Sequence, residues 1–569
     1  MTQFHLQSRK WQSKCDANMR RMAITALFSA LFFVFVFKTK VEALDTANLP
    51  QLPGVIFVPG DGGAQLQARL HKNSSAHFFC YQNSDWFTSW LNLPEMVPGF
   101  IDCWTSNMVL EYNNSTRTTN NPAGVDVRVP NFGDTSTVEY LTPCRLYSYF
   151  AYIAEVLVAL GYQRNVTLRG APFDFRKAPN ELSDYFSSLK LLTEELREST
   201  GGPVVFIAHS MGAPLMNYFL NLQTQNWRKQ NVECLVSLAG AWGGSVKAIK
   251  VYAAGDNLNS VLNSLTLRTQ QRTNPSLAFL LPDPELWLDE VLVRSPTANY
   301  TIKDMKQYLF ELGLPDAYEM YLDTRTLLNM SHTAPHVALH CLYGVGIPTV
   351  ERIEFANAKY FPDYPSLVNG PGDGTVNLRS ADLCSQYSKL QSEPVVVKSY
   401  NETDHMAILS HVDVLRYIAK LVTDIAQRRA DARNSTVKNS PPFIVSIENP
   451  DHEAKSSHEA EVGGNLRRPL YLGSQSSLSE KPNEPQSESE NVATGPNTSK
   501  ANLKDLVDKA VAKVDSEIKH KWFAAADFKE AYERLLQIHS IQKTIDQKIM
   551  YVHKMELEMK RLRDTMMSL

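Results

Sequence analysis

The feature that most constrains the fold of this chain is the stretch from Gly202 to Gly212, with the sequence GPVVFIAHSMG. An apolar run of β-forming residues leads into a small turn, and the residues after the turn have helical spacing. We therefore predict a strand, a sharp turn that carries Ser210, and a helix. Small residues at Ala208 and Gly212 suit such a turn, because larger side chains would collide where strand and helix cross. A serine in an ordinary strand-to-helix loop is the alternative.

Two polar turns further along the chain supply partners for this serine. Asp373 lies in a glycine-rich turn after an apolar strand near Leu339, and His405 follows the strand-forming run at 394–397. The order serine, aspartate, histidine, with each residue in a loop after a strand, is that of a hydrolase triad. In such a triad Asp373 orients the imidazole of His405. The imidazole then takes the proton of Ser210 during attack on an acyl carbon.

The sequence therefore predicts an α/β protein of the α/β-hydrolase type, with the catalytic domain spanning residues 50–432. Asp404 and His411 are the nearest rivals for the acid and the base of the triad. His411 precedes a helical pattern through Val414 and Ile418, so we favour His405 as the base.

A second glycine-rich turn, PGDGG from Pro59 to Gly63, follows a short strand at 55–58. A phosphate-binding loop is the alternative, but its Gly-Lys-Ser/Thr ending and its third fingerprint glycine are missing. In α/β hydrolases the oxyanion hole takes one backbone N–H from the residue after the nucleophile and one from an early strand-to-helix loop. We therefore predict the amides of Met211 and Asp61 as oxyanion donors.

An apolar run from Met22 to Phe37 has basic residues on both sides, with the stronger positive charge before it. It is shorter than the roughly 20 residues of a spanning helix, and VEA at 41–43 has small residues suited to signal cleavage. We predict that residues 1–43 are a signal peptide or a signal anchor. The rest of the chain is then delivered to the lumen or to the outside of the cell.

Cysteines beyond this segment are expected in an oxidising compartment. Cys15 precedes the apolar run, which leaves six of the seven cysteines and 15 full pairings that spacing cannot distinguish. Cys234 lies in an apolar strand pattern and is expected to be a buried free thiol. Candidate N-glycosylation sequons suit the same compartment. They begin at Asn73, at Asn113 or Asn114, and at Asn165, Asn299, Asn329 and Asn401.

Aromatic and aliphatic residues are dense between Cys80 and Cys103 and do not follow a sheet pattern. Such a segment suits a patch that docks on a lipid interface, and a satellite core beneath a loop is the alternative. The candidate membrane-binding residues are Trp86, Phe87, Trp90 and Leu91. Residues from about Ser245 to Asn274, after a Trp-Gly-Gly turn, form a candidate lid.

The sequence argues against a metal site and against binding of nucleic acid. His332, His336 and His340 recur at four-residue intervals, but Pro335 interrupts the helix that would align them, and no zinc motif occurs. We predict no metal and no other cofactor. A net charge of −3 without a broad basic bias argues against nucleic acid as a partner.

The character of the chain changes beyond Arg433. Residues 436–500 are rich in Ser, Glu, Pro and Asn, which predicts a disordered linker. Within residues 501–569, apolar residues from Phe528 to Met566 advance by threes and fours and form one stripe. We predict a helical, coiled-coil tail that self-associates or binds a protein partner and is dispensable for catalysis.

The chain resembles the lecithin:cholesterol acyltransferase family, and within it the lysosomal phospholipase A/acyltransferase branch, over residues 53–422. The matching blocks are VPGD at 58–61, WLNL at 90–93, IDCW at 101–104, GVDVRVP at 124–130, AHSMG at 208–212 and DGTV at 373–376. The resemblance implies the catalytic and oxyanion residues named above and a membrane-binding subdomain around Trp86 to Ile101. It also implies two disulfide bridges, Cys80–Cys103 and Cys341–Cys384.

The predicted function is that of a serine-dependent phospholipase A and O-acyltransferase. Ser210 attacks an acyl ester of a glycerophospholipid and forms an acyl-enzyme, and water or a lipid alcohol then accepts the acyl group. The predicted location is the lysosomal lumen or the outside of the cell, or a membrane anchor facing the lumen. A membrane-anchored phospholipid:diacylglycerol or sterol acyltransferase is one alternative. An inactive lipid-binding or tethering protein that acts through its tail is another.

Overall fold

The computed structural model of the protein describes residues 50–96, 100–143, 145, 147–257, 264–356, 361, 363–438 and 504–516. The predicted signal segment, the predicted linker and most of the predicted tail therefore lie outside the described residues. Within the described part of the chain, no helix is both long and apolar enough to cross a bilayer.

A six-stranded sheet forms the centre of the molecule, in the order β15-β12-β9-β8-β1-β7, with every neighbouring pair parallel. The strands, in chain order, are β1 Val55–Val58, β2 Leu66–His71, β3 Asn83–Trp90, β4 Glu111–Asn113, β5 Thr118–Asn120, β6 Val125–Arg128, β7 Leu168–Gly170, β8 Val204–His209, β9 Val232–Leu238, β10 Val293–Arg294, β11 Asn299–Tyr300, β12 Ala338–Val345, β13 Thr349–Glu354, β14 Ser366–Gly370 and β15 Val395–Asn401. Every residue of β1 and β8 is buried. Both strands are continuously apolar up to His209, as expected for parallel strands covered on both faces.

Helices cover both faces of this sheet and build the regions around it. In chain order they are α1 Ile101–Met108, α2 Ser136–Glu139, α3 Ala151–Ala159, α4 Ser183–Ser199, α5 Gly212–Asn221, α6 Gln225–Asn231, α7 Val246–Ala254, α8 Ser264–Gln271, α9 Pro275–Phe279, α10 Pro284–Trp287, α11 Met305–Glu311, α12 Pro315–Thr324, α13 Leu378–Ala381, α14 Val412–Lys438 and α15 at 504–516. Helix α5 packs on β8 and β1, and α14 packs on α3. The predicted α/β-hydrolase architecture is confirmed.

Both disulfide bridges implied by the family resemblance are present, Cys80–Cys103 and Cys341–Cys384. Cys234 is a buried free thiol in β9, as predicted from its apolar surroundings. The second bridge joins β12 to the 3₁₀ helix Asp382–Lys389 beside the central sheet.

The Cys80–Cys103 bridge closes a small subdomain built on the antiparallel sheet β3-β2-β6 and helix α1. The structure corrects two predicted membrane contacts here. Trp90 is only 6% exposed, and its indole N–H donates to the carbonyl of Gly62 at 2.7 Å. Leu91 is only 9% exposed. Both belong to the main hydrophobic core, so the alternative of a core beneath a loop is right for these two side chains.

Trp86 and Phe87 are half-buried on β3. The guanidinium groups of Arg69 and Arg128 lie 5.0 Å and 4.1 Å from the centre of the Trp86 ring. Both distances are within the range of cation–π attraction.

A second hydrophobic core lies in a cap formed by α7, α9 to α12 and the sheet β11-β10-β13-β14. The lid predicted from Ser245 to Asn274 corresponds to α7 and α8, with residues 258–263 outside the described residues. Helix α7 is buried on most of its surface, from Val246 to Ala254.

One part of the predicted tail is an ordered helix that packs on the catalytic domain. In α15 five apolar side chains are at most 7% exposed and belong to the main core; they are Leu506, Val507, Ala510, Val511 and Val514. Asp508 of the same helix lies 3.8 Å from Arg416 of α14. The first helix of the tail is therefore a docked element of the catalytic domain.

Candidate active site

The turn between β8 and α5 holds Ser210 in a strained backbone conformation. Its φ is +56°, in the left-handed region that residues with a side chain rarely adopt. Both neighbouring glycines are required by packing. A Cβ on Gly60 would lie 2.7 Å from Ser210 Cβ, and one on Gly212 would lie 2.6 Å from the carbonyl of Pro59. This close approach brings the predicted oxyanion loop against the serine.

His405 and Asp373 complete a hydrogen-bonded chain with this serine. Nε2 of His405 lies 2.8 Å from Ser210 Oγ, and its Nδ1 lies 2.8 Å from Oδ2 of Asp373. The backbone N–H of His405 also donates to the carbonyl of Asp373 at 2.9 Å, which fixes the two loops to each other. This geometry lets His405 accept the serine proton while Asp373 orients the ring.

Asp373 is held as a carboxylate. Burial by itself raises the pKa of Asp373, but His405 and two backbone amides outweigh burial and leave this pKa below its ordinary value. The amides are those of Thr375 and Val376, which donate to Oδ1 at 3.0 Å and 2.7 Å. Asp373 is 1% exposed and His405 is 7% exposed, so water competes little for these hydrogen bonds.

The predicted oxyanion residues lie next to Ser210. Met211 is buried and directly precedes α5, and Gly60, the residue before Asp61, packs closely against the serine. Among the described residues, neither the amide of Asp61 nor that of Met211 donates to a protein acceptor. Such amides are suited to bind a developing oxyanion, because they give up no protein hydrogen bond to do so.

The carboxyl of Asp61 is electrostatically unusual. Asp61 is solvent-exposed, but the protein around its carboxyl hinders hydration of the charged form, and together with the neighbouring carboxylate of Asp256 this raises its pKa to about 7, an increase that the ammonium of Lys247 offsets in part. Lys247 itself forms an ion pair with Asp256 at 2.9 Å. The entrance of the site therefore carries a carboxyl group that changes its charge near neutral pH.

The family model described as lecithin:cholesterol acyltransferase matches residues 86–333 and 325–416. The chain belongs to this family. A bovine protein named lysosomal phospholipase A and acyltransferase is 43% identical over 376 residues, which cover 65% of this chain and 91% of the bovine protein. A mouse phosphatidylcholine-sterol acyltransferase is 36% identical over 367 residues, which cover 64% of this chain and 84% of the mouse protein.

Among solved structures, a chain of the Tle4–Tli4 complex aligns over 66% of this chain and 98% of its own length, with 12% identity and a TM-score of 0.36. Membership of the lecithin:cholesterol acyltransferase family, together with the α/β-hydrolase fold, makes the chain an enzyme of acyl hydrolysis or acyl transfer.

The rival residues of this acyltransferase-family site have other partners. Oδ1 of Asp404 accepts the N–H groups of Met406 and Ala407 at 2.8 Å and 2.9 Å, which orders the turn after the histidine. His411 packs against Tyr400 of β15, with the rings tilted and their centres 5.0 Å apart. The structure thus brings His405 to Ser210 rather than His411.

The three regularly spaced histidines do not converge. His332 pairs with Glu285, and Nδ1 of His340 lies 2.7 Å from the hydroxyl of Tyr417. The backbone N–H of His336 donates to the side chain of Gln391. Within the described residues, no group of His, Cys, Asp and Glu side chains is arranged to hold a metal ion.

Sequence reasoning missed two buried residues behind the triad, Tyr149 and His209. The hydroxyl of Tyr149 lies 2.5 Å from Nδ1 of His209 and accepts the N–H of Gly60 at 3.0 Å. His209 could have been found from the sequence, because it directly precedes the serine. A polar ring at the end of an otherwise apolar strand indicates a buried hydrogen-bonding role. Tyr149 belongs to no motif and could not have been found this way.

Proposed function

We propose that the chain is a serine-dependent phospholipase A and O-acyltransferase that works through an acyl-enzyme. The observation that carries this proposal is the hydrogen-bonded chain from Ser210 through His405 to Asp373, in a member of a family of acyltransferases. Relatives at 41–43% identity are named lysosomal phospholipase A and acyltransferase, and this supports a glycerophospholipid as the acyl donor.

In the first half of the reaction, Nε2 of His405 takes the proton of Ser210 while the serine oxygen attacks the acyl carbonyl carbon. The carbonyl oxygen becomes an oxyanion, which the amides of Asp61 and Met211 stabilise. When the tetrahedral intermediate collapses, His405 donates its proton to the leaving glyceryl oxygen. An ester between Ser210 and the acyl group remains.

In the second half, an acceptor hydroxyl attacks this ester. His405 takes the acceptor proton and then returns it to the serine oxygen as the bond to Ser210 breaks. With water as the acceptor the product is a fatty acid, and with a lipid alcohol the product is a new ester. The chemistry at the serine is the same in both cases, so exclusion of water from the site decides their ratio.

We further propose a phospholipid surface as the partner of the Cys80–Cys103 subdomain. Phe79 makes edge-to-face contacts with Phe78 and Phe100, at 5.3 Å and 5.4 Å between ring centres, and the three rings form an aromatic tip. Phe78 is 87% exposed, which is costly in water and favourable at a lipid interface. The guanidinium of Arg128 beside Trp86 suits a lipid phosphate on the same subdomain, whereas Arg69 is paired with Asp126 at 2.7 Å.

The lysosomal lumen is the location that the named relatives support. The two disulfide bridges are consistent with folding in the secretory pathway, because such bridges persist in oxidising compartments.

A fluorophosphonate probe and a phospholipid substrate together test the proposal. We expect the probe to label Ser210 in the wild type, and Ser210→Ala and His405→Ala to lower acyl release by at least about 10³-fold. His411→Ala is the matched control and should retain wild-type activity, because His411 lies outside the triad. An unlabelled but folded wild-type protein would instead favour the inactive lipid-binding alternative.

The acceptor is found in the same assay by supplying vesicles with and without a sterol or a diacylglycerol. The mouse relative named phosphatidylcholine-sterol acyltransferase makes sterol a specific candidate. Release of fatty acid alone would identify water as the acceptor, whereas ester formation that depends on the added alcohol would identify transfer.

A further inference from the structure

Behind the triad, a chain of hydrogen bonds joins three separate loops through two buried side chains. The N–H of Gly60 meets the hydroxyl of Tyr149 at 3.0 Å, and this hydroxyl lies 2.5 Å from Nδ1 of His209. Nε2 of His209 lies 2.9 Å from the backbone carbonyl of His405. Tyr149 is 3% exposed and His209 is 1% exposed. The chain therefore links the oxyanion loop, the nucleophile turn and the loop of the catalytic histidine.

The direction of each hydrogen bond follows from the groups involved. The carbonyl of His405 can only accept, so Nε2 of His209 carries a proton. Burial, reinforced by the neighbouring His405, lowers the pKa of His209 to about 3, so the ring is neutral and its Nδ1 accepts. The donor to Nδ1 is the hydroxyl of Tyr149, which burial keeps protonated by raising its pKa. The oxygen of Tyr149 in turn accepts the N–H of Gly60.

This network fixes groups that the reaction requires. Gly60 directly precedes Asp61, whose amide is a proposed oxyanion donor, and His405 is the proposed base. Tyr149 is itself held firmly, because a Cβ on Gly63 would lie 2.6 Å from its hydroxyl. The rings of His209 and His405 lie 4.8 Å apart. A shift of about 1 Å in such groups can cost roughly 10²-fold in rate.

We propose that Tyr149 and His209 are positioning residues, which hold the oxyanion loop and the His405 loop in their correct positions around Ser210. Neither side chain contacts the reacting atoms. With its pKa near 3, His209 does not act as an acid or a base at the pH of the reaction. This role rests on the proposed function of Ser210. The alignment of the oxyanion loop and the His405 loop then affects turnover (kcat) rather than substrate binding.

Tyr149→Phe is the decisive variant, because it keeps the aromatic packing and removes only the bridging hydroxyl. We expect kcat on a soluble ester to fall by about 10-fold to 100-fold, with KM changed less than about twofold. The rate of fluorophosphonate labelling should fall in parallel, because the same oxyanion amides stabilise phosphonylation. Rates are normalised to the fraction of correctly folded protein, measured by circular dichroism.

Tyr162→Phe is the matched control. Tyr162 is also buried, at 2% exposure, and its hydroxyl has no hydrogen-bond partner within the described residues. This variant makes the same chemical change away from the triad and should leave kcat unchanged.

Two substitutions of His209 separate the two halves of the network. In His209→Gln the amide nitrogen can still donate to the carbonyl of His405, whereas in His209→Asn the amide oxygen can still accept from Tyr149. We expect each to retain part of the activity. Tyr149→Phe should add little to the loss in His209→Gln, because the two residues act through one chain.

The outcomes separate the two proposals. Lack of turnover and of labelling in the wild type would refute the proposed function itself. An active wild type with unchanged kcat and labelling rate in Tyr149→Phe would overturn the positioning role. A rise in KM without a fall in kcat would overturn it as well.

Discussion

Asp61 contributes two groups to the entrance of the site. Its amide is a proposed oxyanion donor, while its carboxyl has a pKa raised to about 7 by poor hydration of the charged form and by Asp256. At acidic pH this carboxyl is neutral, and above neutral pH it is an anion close to the place where the oxyanion forms. Like charges repel, and the solvent that reaches this exposed carboxyl screens the repulsion only in part, so the ionised form opposes catalysis.

We therefore expect activity on an uncharged soluble ester to decline as pH rises through about 7, and Asp61→Asn to lessen this decline. The folded state has the higher pKa, so it binds a proton that the unfolded chain releases between about pH 4 and pH 7. Stability should thus also fall across this window in the wild type, and less in the variant. Profiles of kcat/KM and of Tm from pH 4 to pH 9 test both effects.

Asp184→Asn, on the exposed start of α4, is the control for this change of charge. Identical pH profiles for the wild type and Asp61→Asn would show that this carboxyl does not affect the reaction.

At the active site, the sequence predicted the three residues of the triad but did not predict the roles of Tyr149 and His209, the two buried residues behind it. Ser210 and His405 follow β8 and β15, and the carboxyl ends of parallel strands meet at one edge of a sheet, so topology predicts their approach. Asp373 follows β14 of the cap sheet instead, and a bridge to Ile347, just beyond the end of β12, returns it to that edge. Tyr149 precedes helix α3 and meets His209 through the packing of the whole domain. A contact between residues so far apart leaves no local pattern in the sequence.

At the scale of elements, strand β3 explains why two of four membrane residues were assigned wrongly. Side chains of a strand alternate between its two faces, but a twisted strand with irregular pairing, such as β3 on β2, does not keep one face outward. The density of aromatic residues was a sound signal of a distinct subdomain. It could not show that Trp90 turns inward to Gly62 while Phe78, outside the strand, remains exposed.

We expect Phe78→Ser to weaken binding to phosphatidylcholine vesicles by at least about fivefold, because it removes the most exposed ring from the interface. Hydrolysis of a soluble ester should be unchanged, since this side chain lies outside the triad. Vesicle sedimentation and an esterase assay measure the two effects separately.

Phe310→Ser provides the comparison, because Phe310 is also exposed, at 49%, but lies on α11 of the cap. Equal loss of vesicle binding in both variants would mean that the Cys80–Cys103 subdomain has no special role at the membrane.

At the scale of the whole molecule, α15 changes the interpretation of the C-terminal region. The sequence predicted a tail independent of catalysis, since every proposed catalytic group precedes it. Five apolar side chains of α15 are nevertheless buried against the main core, and Asp508 approaches Arg416. Periodicity revealed a helix-forming region but could not reveal its partner, because an apolar stripe fits a second copy and a neighbouring domain equally well.

A chain that ends at residue 438 should therefore melt several degrees below one that ends at residue 520, because it exposes the surface that α15 covers. Its kcat, measured well below Tm, should remain within about twofold of the full chain. Differential scanning calorimetry and an esterase assay test these two expectations.

Point substitutions in the full chain provide a finer test. Val511→Asp places a charge at a position 1% exposed, whereas Lys513→Asp changes a solvent-exposed position of the same helix. Only the first should lower Tm. Equal Tm values in both variants would indicate that α15 does not dock on the catalytic domain in solution.

The order of the central sheet also determines when the enzyme becomes active during synthesis. Strand β1 carries the oxyanion loop near the start of the domain, whereas His405 follows the last strand, β15, at the far edge. Ribosomes add about 5 to 20 residues per second, so tens of seconds separate the emergence of Gly60 from that of His405. From the emergence of Ser210 until that of His405, the nascent chain has a serine without its base. The nascent chain therefore cannot complete its triad until the last strand of the central sheet has been made.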